Sequence, residues 1–151
     1  MSVTESGPRT PRAAETPGTQ AGGEPVVAAW RTLAARYHAV NCALEQALAR
    51  YGLGVSEFEV LDRLTDSPAR KFRAQELAEA VHLSQSALSR LIDRLVKHGL
   101  VERCLCGEDR RGIYVIMTEA GQQRHAEAAP AHRAALAREL RAATPATTYF
   151  S

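Results

Sequence analysis

A mainly helical α+β fold is what this chain predicts, and three observations carry that expectation. Alanine, leucine and arginine, all good helix formers, are abundant in its 151 residues. Past residue 25, apolar residues recur at the alternating spacings of three and four that gather them on one side of a helix. Only two short runs, Leu100 to Arg103 and Ile113 to Met117, read as strands, and a charged, Gly-bounded turn separates them. A chain of this length holds one compact domain with tails and leaves no room for two catalytic domains. At 45% hydrophobic, 24% charged and 5% aromatic, the composition is that of an ordinary globular protein.

Residues 1–25 contain four Gly, four Pro and no aromatic residue. They offer too little apolar surface to offset chain entropy and read as a disordered arm. The domain spans 26–143. Its first helix, 26–51, carries the seam Val26, Trp30, Leu33, Tyr37, Val40, Leu44, Ala47 and Tyr51 and is expected to pack along its length. Gly52 and Gly54 end it. Ser56 with Glu59 forms a capping pair for a second helix, which stops near Leu64 ahead of Asp66-Ser67-Pro68. An extended piece at Lys71-Phe72-Arg73 leads to a helix from Gln75 to Val81. Ser84 then caps a longer helix whose stripe is Leu88, Leu91, Ile92, Leu95 and Val96, and Gly99 closes it in the left-handed region. The two strands form a hairpin about the turn Gly107 to Gly112. Thr118 caps the last helix, 118–141, which Pro130 is expected to bend or interrupt, and 144–151 reads as a frayed tail.

The formal net charge of +2 neither supports nor excludes a nucleic-acid partner, but its distribution is uneven. Between Arg70 and Arg111 nine basic residues stand against six acidic ones, so this stretch is +3 and the remainder −1. Two short helices joined by a tight turn, then a hairpin with an arginine-rich tip, is the order of a winged helix-turn-helix. Opposite the leucine stripe, the helix after Ser84 presents Gln85, Ser86, Ser89, Arg90, Asp93, Arg94 and Lys97. A helix with one packed side and one such polar side fits the major groove. Gln85, Ser86 and Ser89 suit base edges, and Arg90, Arg94 and Lys97 suit phosphates or guanine. Asp93 would be repelled by phosphate and belongs off the contact or paired with an arginine. At the tip, Arg110 and Arg111 can enter a minor groove while Asp109 holds Arg111 or the turn backbone. Taken alone, such a charged helix face is an ordinary solvated surface; the combination with the wing selects DNA.

These elements resemble the MarR-type winged-helix transcriptional regulators. The resemblance is carried by Leu77-Ala78-Glu79, by the run from Ser84 to Arg103 and by the run from Asp109 to Gly121. In the last of these the family pattern falls on Asp109, Arg111, Val115, Met117 (in place of Leu), Thr118 and Gly121, and the likeness covers about Val26 to Leu140. It implies a cytoplasmic homodimer, with dimerisation helices 26–51 and 118–141, that represses transcription by binding a near-palindromic operator in double-stranded DNA. It also implies release by a small-molecule effector, often phenolic. Trp30, Leu33 and Tyr37 read first as buried contacts, and Trp30, Tyr37 and His38 are the candidates for facing an effector. Family members usually carry a further C-terminal helix where this chain reads TPATTYFS, so the dimer is expected to rest mainly on the two helices named.

A second reading is a metal- or redox-sensing DNA-binding regulator that uses Cys42, Cys104, Cys106 and the histidines. His38 and Cys42 lie one turn apart, His125 and His132 two turns apart. Against it, no Cys-x-x-Cys spacing occurs, and Cys42 falls in the later half of the first helix, where peroxide-sensing relatives carry their cysteine near its beginning. Cys104 and Cys106 are too close in sequence to bridge comfortably, so reduced thiols are expected. No glycine-rich phosphate loop, Gly-x-Ser-x-Gly elbow or His-Glu-x-x-His pair is present, so neither an enzyme nor a cofactor is expected. With no secretory-signal pattern and no apolar run of about 20 residues, the reading is a cytosolic protein.

Overall fold

The computed structural model describes residues 23–105 and 112–143. They fall into two units, one ending at Leu33 and one running from Ala34. The first contains the opening turns of α1 (Gly23–Ala49), which begins inside the expected arm. There Val26, Trp30 and Leu33 are exposed at 68%, 64% and 61%.

In the second unit α1 continues with Tyr37 exposed, and only its final turns go inward, through Leu44 and Leu48. Within this unit, the seam expected to pack along the whole helix is thus buried at Leu44 and exposed at Tyr37. Gly52, at φ +67°, turns the chain out of α1 as expected. α2 (Val55–Asp66) starts one residue before the predicted cap. Gly54, not Ser56, is its N-cap, and Glu57, not Glu59, reaches back, its carboxylate accepting from the Gly54 N–H at 3.0 Å. That shift leaves Glu59 to pair with Arg63 one turn on, at 2.9 Å.

β1 (Lys71–Arg73) is not merely an extended connector. It pairs antiparallel with β3 (Tyr114–Met117), which pairs on its other side with β2 (Val101–Cys104), giving the sheet order β1-β3-β2. Arg103 stands opposite Val115 in that ladder. α3 (Ala74–Ala80) and α4 (Gln85–Lys97) enclose a turn in which His82 adopts φ 56°. α5 (Glu119–Ala143) runs through Pro130 as one helix, so of the expected bend or interruption the interruption does not occur. One core unites the elements: Phe58, Leu61 and Leu64 of α2, Leu77 of α3, Leu88, Ile92 and Leu95 of α4, and Val101 and Val115 of the sheet are fully or almost fully buried. Each such side chain contributes about 1.5–3 kcal/mol on burial, so α4 is fixed by its stripe and not by local propensity. No helix among the described residues is long and apolar enough to cross a membrane.

Candidate nucleic-acid interface

α4 is made for one buried and one wet side. Ser84 caps it, its hydroxyl oxygen accepting from the Ala87 N–H at 3.1 Å. Leu88, Leu91, Ile92 and Leu95 are buried, whereas Val96, counted in the same stripe from the sequence, is 39% exposed. Gln85, Ser86, Ser89, Arg90, Asp93, Arg94 and Lys97 are all exposed. The sequence-derived face is thus brought together on one surface. Asp109, Arg110 and Arg111, expected at the wing tip, lie outside the described residues, as does Cys106.

The charged groups on that surface are not equivalent. Arg94 donates through Nε to Glu57 of α2 at 3.2 Å, and the Glu57 side chain is only 14% exposed. Arg94 is thereby committed to the protein, while Arg90 and Lys97 form no ion pair among the described residues. Asp93 is paired with an arginine, as its chemistry demanded: Arg103 of β2 donates to its Oδ1 at 2.5 Å. The same guanidinium also donates to the Ser89 carbonyl at 3.0 Å and to Ser89 Oγ at 3.4 Å. Residue spacing alone did not single out which arginine this would be.

The far end of α4 is bolted to α5. Gly99, at φ +71°, ends α4 in the expected left-handed turn. Its carbonyl accepts from the Thr118 hydroxyl at 2.6 Å, the Thr118 N–H donates to the Leu100 carbonyl at 3.1 Å, and the Thr118 oxygen accepts from the Gly121 N–H at 3.0 Å. The Thr-x-x-Gly spacing is therefore a double cap that closes one helix and opens another.

Behind this surface, α2 and α5 are joined by a polar cluster that sequence reasoning missed. Asp62 Oδ1 accepts from His125 Nε2 at 2.7 Å and from Arg133 at 2.5 Å. Arg133 also donates to His132 Nδ1 at 3.0 Å, which requires that nitrogen to be unprotonated. Phe58 stacks on both rings, with centroids 5.1 Å from His125 and 4.2 Å from His132. Burial pushes the Asp62 carboxyl up, but hydrogen bonds and charge from Arg133 and His125 outweigh it and hold it below the usual range. Burial and the Arg133 charge push His132 down, against the opposing pull of Asp62 and Glu59. The two histidines considered as metal ligands thus have protein partners. Among the described residues no group of three or more His, Cys, Asp or Glu side chains is placed to hold a metal.

Of the residues considered for an effector, Trp30 and Tyr37 are exposed, and His38 Nε2 lies 3.5 Å from Cys42 Sγ on the surface of α1. Cys42 is a free thiol, but Cys104 is disulfide-bonded, which corrects the expectation of reduced thiols at that position.

Residues 51–112 match the model of the MarR family. A relative among characterised proteins, the HTH-type transcriptional repressor YetL of Bacillus subtilis, is 29% identical over 93 residues, 62% of this chain. The match spans 56% of YetL, little more than half its length. Among solved structures, AbsC, a MarR family transcriptional regulator from Streptomyces coelicolor, is 30% identical with a TM-score of 0.75, covering 87% of this chain and 86% of AbsC. Sco3205, a MarR family transcriptional regulator from the same organism solved in complex with DNA, is 28% identical with a TM-score of 0.75, covering 88% of this chain and 82% of its own.

Proposed function

The chain belongs to the MarR family of transcriptional regulators, and from that premise we propose that it is a DNA-binding repressor that acts as a homodimer and is released by a small-molecule effector. One observation carries the DNA reading. α4 buries Leu88, Leu91, Ile92 and Leu95 and turns Gln85, Ser86, Ser89, Arg90 and Lys97 outward on a helix held by Glu57 on one side and Thr118 at its end. Gln85, Ser86 and Ser89 read base edges, Arg90 and Lys97 meet phosphates, and Arg94 does so only by giving up Glu57. Arg110 and Arg111, by their sequence, grip the flanking minor groove, with Asp109 steadying the turn. The DNA complex of Sco3205 and the repressor activity of YetL support this assignment.

The homodimer is supported by the apolar residues that α1 leaves exposed, which a second copy of the chain would cover. An effector then acts only through unequal affinity for the DNA-competent and incompetent arrangements of the pair of α4 helices. Selection of duplexes from a random library by the purified full chain, followed by footprinting at a fixed salt concentration, tests the reading. Enrichment of a near-palindromic site supports it, and failure to enrich or protect any duplex contradicts it.

A further inference from the structure

The geometry points to Arg103 as a positioning residue for sequence readout: it fixes Ser89 and Asp93 on α4 so that the Ser89 hydroxyl is offered to a base edge as a hydrogen-bond donor. This rests on the DNA reading of α4 proposed above. The Arg103 guanidinium spans two successive turns of the helix, with one nitrogen on Asp93 Oδ1 at 2.5 Å and the other on the Ser89 carbonyl and hydroxyl at 3.0 and 3.4 Å. Arginine is always charged and never accepts a hydrogen bond, so the polarity of the contact is fixed. The Ser89 oxygen receives; its own proton is left to point away from Arg103. Ser89 is exposed, so that proton is available to a group docked against the face. Ser89 is thereby matched to base-edge acceptors, N7 and O6 of guanine, N7 of adenine or O4 of thymine, with one of the two lone pairs of its oxygen already taken by Arg103.

Asp93 gives Arg103 a second task. A carboxylate 62% exposed on a surface that meets a polyanion opposes binding of any sequence, and a guanidinium in contact cancels that charge where it stands. Because Arg103 sits in the β2–β3 ladder opposite Val115, the anchor is the sheet and not a mobile side chain from α4 itself. Lysine carries its donors on a single nitrogen, whereas the guanidinium reaches Asp93 and Ser89 through two, so the forked shape serves the contact as well as the charge.

The test uses the full chain, a duplex of about 20 base pairs enriched by the unaltered protein from a random library, and a scrambled duplex of equal composition. Arg103→Gln should weaken the enriched duplex about 10-fold or more, the worth of one good base contact, and the scrambled duplex less, so that discrimination collapses. Arg103→Lys should lose discrimination in the same direction. Combining Arg103→Gln with Asp93→Asn should recover affinity for the scrambled duplex without restoring discrimination. Renewed selection with Arg103→Gln should relax preference at the same base pairs as selection with Ser89→Ala. Equal losses on both duplexes with a lowered melting midpoint would reduce Arg103 to a structural brace and overturn the proposal. A salt slope lowered by about one, with no recovery in the double variant, would overturn it by making Arg103 itself a phosphate contact. If the unaltered protein enriches no duplex, it is the DNA reading itself that fails, which shows before any variant is made.

Discussion

Gly121 lies so close to Leu100 that a β-carbon at position 121 would come within 2.1 Å of the Leu100 carbonyl oxygen. The obstacle is backbone, and the Thr118 N–H and hydroxyl hold that backbone in place through Leu100 and Gly99. Gly121→Ala should therefore destabilise the fold by about 3 kcal/mol or more, the upper end of overpacking penalties. Denaturant midpoints measure it. A change below about 1 kcal/mol would mean that α5 can slide away from the end of α4 at little cost.

Acid should loosen the joint between α2 and α5. The folded Asp62 carboxyl titrates below its ordinary value of 3.8, so its contribution to stability is whole above that value and is lost as pH falls through the folded one. Folded His132 titrates below its ordinary 6.5, so the unfolded chain takes up that proton first and stability declines as pH drops from 6.5 toward the folded value. The denaturant midpoint should fall as pH drops below about 6.5, the ordinary histidine value. His132→Gln, which keeps an acceptor for Arg133 and cannot take a proton, should flatten that fall. An identical slope in the variant would remove His132 from the joint.

The cations of α4 should separate in salt titrations. Arg90→Ala and Lys97→Ala, like Arg111→Ala in the wing, should each lower the slope of log affinity against log salt by about one, uniformly across sequences. Arg94→Ala should lower it less, because Arg94 must leave Glu57 to reach a phosphate. Equal slope changes for Arg90 and Arg94 would show that the Glu57 pair does not persist on DNA.

Self-association should depend on the outer residues of α1. Trp30→Asp or Tyr37→Asp, at sites 64% and 71% exposed in one chain, should leave the melting behaviour of a single chain intact while shifting sedimentation from dimer to monomer. A dimer that survives both substitutions would move the interface elsewhere.

Much of the architecture was legible in the sequence because it depends on local chemistry. Ser84 and Thr118 as caps, Gly52 and Gly99 as left-handed turns, and the stripe of α4 follow from what those residue types do on their own. The α2 cap went to Gly54 and Glu57 because Gly54, like Ser56, is an acceptable N-cap, and a two-residue shift moves the reciprocating glutamate with it. Pairings across the chain were not legible. Lys71-Phe72-Arg73 has no strand character until β3 supplies its partner, and Asp62 meets Arg133 across 71 positions of sequence. The polar face of α4 could be read from periodicity, whereas the partner of each charge on it, Glu57 for Arg94 and Arg103 for Asp93, depended on the packing of α2 and β2.

The claim that everything else serves is that the outer side of α4 reads base sequence, and Ser86 and Ser89 test it most directly, being short, exposed and uncharged. Affinities of Ser86→Ala and Ser89→Ala for an enriched and a scrambled duplex, at one salt concentration, decide the matter. The account requires the enriched duplex to lose about 5-fold or more while the scrambled one hardly changes. Equal losses on both, or none on either, would contradict it.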